Sequence, residues 1–193
     1  RGLSCALTPD LPQRLAAIRE AFEECGILLA RPEVDDARLD ALRAPSANPF
    51  LERLKAAGME PAVDALVPFA RWITPESVWR RFDTVFFLTR APVGQVPVVD
   101  GGEAVSGLWG TPRAILAAAE AGELSLVFAT RMNLMRLAAC RTVLHALEEA
   151  ARHQPLTPIL PQPVETPAGP VLRIPEDIGY SVTDVAVDQI RLG

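Results

Sequence analysis

Three carboxylates stand within five positions of one another in the stretch "LAAIREAFEECGILLA": Glu20, Glu23 and Glu24, followed at once by Gly26. On a helix that advances about 100° per residue they fall inside an arc of about 100°. Acids three and four positions apart repel by a few tenths of a kcal/mol per pair, roughly. Arg19 can pair with Glu23 one turn on, but nothing comparable in the sequence offsets the other two. Helix stability therefore does not account for the pattern. A hard divalent cation such as Mg²⁺ does, because it takes oxygen ligands and turns the repulsion into attraction. A solvated acidic face is the competing reading of the spacing alone.

The element that carries these acids is predictable. Leu11, Leu15, Ile18, Phe22 and Cys25 recur at helical spacing on the side away from the glutamates. Pro12 suits a first turn and Gly26 supplies a stop. The stretch 31–61 is charged and carries Pro32, Pro45 and Pro49. It reads as an insertion with weak helices, one of them over 50–57, and no core of its own. Next come two strands, "ALVPFARWIT" and "RFDTVFFLTR", separated by a turn at "PES". The "GQVPVVD" stretch is expected to form a short edge strand, since Pro97 cannot donate to a ladder. A helix is expected over "TPRAILAAAEAGE", capped by Thr111 and ended by Gly122. One long helix is expected over "TRMNLMRLAACRTVLHALEEAARH". Beyond Pro155 two extended segments should meet at a turn in "TPAG". Helices interleaved with strands predict a mixed sheet with helices against it, in the α+β class.

The string "REAFEECGI", Arg19 to Ile27, resembles the second half of the Nudix box. That pattern is Arg-Glu-apolar-x-Glu-Glu-x-Gly-apolar, with Ala21 a small occupant of its first apolar slot. The segments "WITPESVWRRFDTVFFL", "GGEAVSGLWGTPRAIL" and "IPEDIGY" are similar to the Nudix branch that includes peroxisomal coenzyme A diphosphatases and their bacterial relatives. The resemblance runs from Leu15 to Tyr180. It implies an α/β/α sandwich spanning 1–193 as a single domain, with 31–61 inserted and 155–193 an extended segment packed on it. It also implies hydrolysis of a diphosphate joined to another moiety, with Mg²⁺ or Mn²⁺ as cofactor. Glu23 and Glu24 would ligate the metal. Glu20 would be a further ligand or the base, and Arg19 would orient the glutamates.

Two further residues follow from the resemblance and its surroundings. Glu103, in "GGEAVSGLW", resembles the distant glutamate that many Nudix enzymes add to the metal site; the alternative is a solvated loop carboxylate. Arg81 could reach a substrate phosphate as a fork-shaped donor, or form a structural pair with Asp83 or the glutamates. The sequence departs from the full box upstream: Leu11 stands where its first glutamate belongs, and no glycine precedes it at the required distance. The glycine-rich loop is expected to lie before Arg1 or in a segment missing near "RGLSCALTPD".

The remaining features narrow the class. A net charge of −5 over 193 residues argues against non-specific nucleic-acid binding. Three cysteines without ligand spacing read as reduced, which favours a cytoplasmic setting, and no apolar run is long enough to span a membrane. His145 and His153 read as structural, with no Ser-His-Asp or Cys-His signature beside them. Trp72, Trp79 and Trp109 read as core or rim aromatics. The expected partner is a small diphosphate conjugate, coenzyme A or acyl-CoA first and ADP-ribose or NADH second; relatives also admit a homodimer. A catalytically inactive Nudix-fold binding module is the alternative from another class.

Overall fold

The computed structural model describes residues 10–75, 80–99, 101–102 and 106–187. The chain divides into two compact units: Arg1–Leu66 with Thr89–Leu108, and Val67–Leu88 with Trp109–Gly193.

The first unit is built on α1 (Leu11–Cys25). Pro12 lies in its first turn and Gly26, at φ 65°, ends it. Ile18 and Phe22 are buried as the periodicity predicts. Arg14 is buried with them, four residues before Ile18 and on the same face. A short pair of strands, β1 (Ala30–Arg31) and β2 (Glu60–Pro61), runs antiparallel and brackets two helices, α2 (Asp36–Arg43) and α3 (Phe50–Ala56). Asp35 caps α2 by accepting from the Arg38 amide at 2.8 Å. The 31–61 stretch contributes Leu39, Leu42, Phe50 and Leu54 as buried side chains, and the Phe50 ring lies 5.4 Å from that of Phe22. Its apolar residues thus join the face of α1 rather than forming a separate core.

The second unit holds the two strands read from the sequence, β3 (Val67–Ile73) and β4 (Asp83–Leu88), which pair antiparallel. The register shifts between Pro68 and Ala70, where Phe69 and Ala70 are both buried in succession. Three helices follow: α4 (Pro112–Glu120), α5 (Phe128–Ala138) and α6 (Val143–Arg152). Thr111 caps α4, and the amides of Gly122 and Glu123 bond back to Ala119 and Ala118 to close it. A two-residue β5 (Pro158–Ile159) joins β3 in parallel, so the order β4-β3-β5 makes a mixed sheet. The tail forms a separate antiparallel sheet of β6 (Gln162–Thr166), β7 (Gly169–Arg173) and β8 (Asp184–Ala186), with the expected turn at Thr166 to Gly169. Trp72, Phe128, Met132, Ile159 and Ile174 form the core of this unit.

Two expectations fail here. The long helix is two helices, because the chain leaves α5 at Ala138 and Thr142 starts α6 by accepting the His145 amide at 3.1 Å. Val143 and Leu144, which continue the apolar stripe on paper, are exposed. The "GQVPVVD" segment forms no strand over 95–99, where side-chain bonds take the place of a ladder. The turn at "PES", Trp79 and Cys5 lie outside the described residues. Cys25 and Cys140 are free thiols. No helix among the described residues is long and apolar enough to cross a membrane.

Candidate functional site

The three glutamates leave α1 on the face opposite Ile18 and Phe22. Glu20 and Glu23 are about half exposed, with side-chain exposures of 56% and 49%, and Glu24 is half-buried. Arg19 reaches both of the former: its Nη2 is 3.3 Å from Glu20 Oε1 and its Nε 3.8 Å from Glu23 Oε2. Such exposed pairs contribute little to stability, about 0–1 kcal/mol. Their effect is on direction, since one guanidinium between two carboxylates restricts where both can point. With Glu20 and Glu23 turned to Arg19, no group of three acidic, histidine or cysteine side chains among the described residues closes to metal-binding distance. The donors themselves suit a hard cation: three carboxylates on one helix face, two exposed and one half-buried, on a backbone that is fixed at both ends.

That fixing is done by side chains that bond to backbone carbonyls. At the start of α1, Arg14 donates from Nη1 to Val63 O at 2.9 Å and to Leu66 O, while its Nε is 3.0 Å from Asp10 Oδ2. At the end, the Gly26 and Ile27 amides bond back to Phe22 O and Ala21 O. Cys25 O accepts the Val98 amide at 2.9 Å. Arg43 of α2 donates to Gly26 O from Nη2 at 2.8 Å and Nε at 3.2 Å, and to Val96 O at 3.0 Å. Gln95 adds a two-way bond, accepting the Leu28 amide at 2.8 Å and donating to Leu28 O at 3.1 Å. The left-handed turn at Gly26 has no room for a side chain: a Cβ there would stand 3.0 Å from Arg43 Nε and 3.0 Å from Val98 O.

Glu103 lies outside the described residues. Arg81 belongs to the second unit, is exposed, and donates from Nε to Thr74 O at 3.2 Å. The partner of Asp83 is Arg71, which forms a fork of 2.8 and 2.6 Å and holds that carboxyl below the usual carboxylate range. His153 bonds through Nδ1 to Glu149 O at 2.8 Å, and burial lowers its pKa. His145 Nδ1 accepts the Arg141 amide at 3.3 Å. Both histidines serve the ends of α6. Trp72 is a core aromatic and Trp109 is exposed. Sequence reasoning missed Arg14, Arg43 and Gln95. Only Arg14 had a visible signal, its helical spacing to Ile18 and Phe22.

Comparisons with known proteins agree with this architecture. A family model described as the NUDT19 Nudix domain matches residues 1–137. Acyl-coenzyme A diphosphatase NUDT19 of Homo sapiens is 32% identical over 128 residues, which are 55% of this chain and 33% of that protein. Its counterpart in Xenopus laevis is 33% identical over 125 residues, 53% of this chain and 33% of that one. The chain spans about a third of the length of these curated relatives. A crystal structure of a Nudix hydrolase from Alicyclobacillus acidocaldarius superposes with a TM-score of 0.61 at 30% identity, covering 75% of this chain and 69% of that one. With an α+β architecture, a mixed sheet, and the motif "REAFEECGI" on a capped helix, the chain belongs to the Nudix hydrolase family, in the group of the NUDT19 Nudix domain.

Proposed function

We propose that the chain, acting over 1–193 as one domain, hydrolyses a diphosphate bond in a coenzyme A or acyl-CoA substrate with the help of Mg²⁺ or Mn²⁺. The observation that carries this reading is the placement of Glu20, Glu23 and Glu24 on one solvent-facing side of α1, in the order and spacing of the Nudix box. Similarity to proteins named acyl-coenzyme A diphosphatase supports the choice of substrate. Glu23 and Glu24 would hold the cation, with Glu103 as the further ligand that the family resemblance implies. A bound cation would neutralise charge on the diphosphate and, by polarising its oxygens, make the phosphorus more electrophilic. Arg19 keeps Glu20 and Glu23 oriented. Glu20 is either a further ligand or the base that takes a proton from water as the water oxygen bonds to phosphorus. The bond from phosphorus to the bridging oxygen breaks, and two phosphomonoesters leave. Arg81, whose Nε bonds Thr74 O, is proposed as a fork-shaped donor to a substrate phosphate.

The test is product chromatography with coenzyme A, acyl-CoA, ADP-ribose and NADH as substrates, each with Mg²⁺ and with Mn²⁺. Turnover is expected to be highest on the coenzyme A compounds. Glu23→Gln and Glu24→Gln should each lower it by more than about a hundredfold, beyond the usual effect of outer-shell changes. Glu20→Gln should remove the acidic limb of the pH profile if that residue is the base. Undiminished turnover in both Glu23→Gln and Glu24→Gln overturns the site. Preference for ADP-ribose or NADH overturns the substrate.

A further inference from the structure

We infer that a cavity in the second unit is an anion site, which takes a phosphate group on the buried guanidinium of Arg136. The cavity has a volume of about 190 Å³, and Arg136, His153, Gln154, Thr157, Phe69 and Asp177 are among its walls. All six belong to the second unit, and the hydrolysis proposed above uses none of them. Asp177 comes from "IPEDIGY", a stretch to which the glutamate site gives no task.

Arg136 is only 8% exposed, and no carboxylate pairs with it among the described residues. Its Nη1 donates to Phe69 O at 2.7 Å, while Nη2 has no hydrogen-bond partner among them. The groups around it are neutral. The Phe69 and Tyr180 rings lie 4.3 and 5.3 Å from Cζ, and a Cβ on Gly179 would stand 3.2 Å from Nη2. A buried charge without a counter-charge is costly, and an anion in the cavity offsets that cost.

The other walls supply the remaining contacts. Gln154 uses its amide hydrogens on Pro68 O at 2.8 Å and Ala150 O at 3.0 Å, which ties this wall to β3 and α6. His153 donates from Nδ1 to Glu149 O at 2.8 Å, which leaves Nε2 to accept from a phosphate hydroxyl. Burial, then the charges of Arg136 and Arg152, lower its pKa and keep the ring neutral. Thr157 adds a hydroxyl. A guanidinium that has given Nη1 to a carbonyl does not match a planar carboxylate two-to-two. A tetrahedral anion that takes one contact from each wall does. The volume is below the roughly 300–1,000 Å³ of pockets that enclose drug-sized ligands, so the ligand is phosphate or a small phosphomonoester. Asp177, exposed and at φ 59°, lines the same cavity, and its charge opposes the anion.

The test is titration calorimetry on the full chain at constant ionic strength, without divalent cations, using inorganic phosphate, methyl phosphate and acetate. Both phosphates should bind at least about tenfold more tightly than acetate. The tighter of the two identifies the source, free phosphate or an ester. Arg136→Met should weaken phosphate by at least about tenfold. Thr157→Val alters an exposed residue, should weaken it by about two- to tenfold, and decides the matter where the arginine variant does not fold. Asp177→Asn, whose side chain tolerates the left-handed backbone, should tighten phosphate by about two- to threefold. Glu23→Gln should leave it unchanged. A parent that binds no phosphate, or binds acetate equally well, overturns the assignment. So does unchanged affinity in a folded Arg136→Met or Thr157→Val variant. Weaker binding in Asp177→Asn makes that carboxylate the partner of Arg136, and weaker binding in Glu23→Gln moves the anion to the glutamates; either result overturns it too.

Discussion

The two units use polar side chains differently. In the first, guanidinium and amide side chains bond to backbone around the helix that carries the glutamates. In the second, an asparagine gathers side-chain donors inside the core and an arginine beside it bonds a backbone carbonyl. Asn133 Oδ1 accepts from Trp72 Nε1 at 3.1 Å and from the Tyr180 hydroxyl at 2.7 Å, with both aromatic rings against the core. Arg136 lies over the Phe69 ring at 4.3 Å and donates to Phe69 O at 2.7 Å. Burial raises the Tyr180 pKa, which keeps its proton available as a donor. The contrast separates two tasks. A network inside the core fixes packing, whereas bonds to backbone around α1 fix the direction of the helix that carries the acids.

The sharpest test of this contrast is Asn133→Leu. It strands two buried donors and should lower stability by about 2–3 kcal/mol, equivalent to a fall of roughly 4–12 °C in Tm for a chain of this size. Mn²⁺ affinity of the folded protein should not change, and calorimetry with metal titration reads both. A change in affinity breaks the division of tasks. Gly26→Ala acts on the other side of it. The left-handed turn and the close approach of Arg43 and Val98 O should together lower stability by about 1–3 kcal/mol, and here cation affinity should fall as well. Thr142→Ala removes the α6 cap and should cost about 1 kcal/mol in thermal unfolding, with affinity again unaffected.

The smallest effect is one in which both units should behave alike. Asp64 beside Arg31, and Asp83 and Asp184 beside Arg71 and Arg173, are all held below their ordinary pKa by an arginine hydrogen bond. A carboxyl depressed in the folded state contributes stability above its unfolded pKa, about 3.9. That contribution disappears as pH falls through the folded value. These pairs are solvent-exposed, so the loss is slight. Tm measured below about pH 4 should drop less in Asp83→Asn than in the parent, and the parent's drop should shrink with added salt.

Local rules made much of this molecule legible. Pro12, Ile18, Phe22 and Gly26 define α1 by period and punctuation, Thr111 and Gly122 define α4, and Thr166 to Gly169 turns β6 into β7. The break between α5 and α6 was hidden because apolar spacing continues across it, and the Thr142 cap is the only local sign. The glutamates were visible because like charges at i, i+3 and i+4 conflict with helix stability. What fixes their helix was not visible. Arg43 and Gln95 act across 17 and 67 residues of chain, and a long-range side-chain bond to a carbonyl leaves no pattern in sequence.

Gln95 satisfies both backbone groups of Leu28 with its own terminal amide, as a neighbouring strand otherwise would. A pairing made by a single side chain has no register, so residues beyond it are released from the two-residue alternation that a sheet enforces. Gln95 itself must keep its nitrogen: deamidation to glutamate would set a carboxylate oxygen against the Leu28 carbonyl and release the tether.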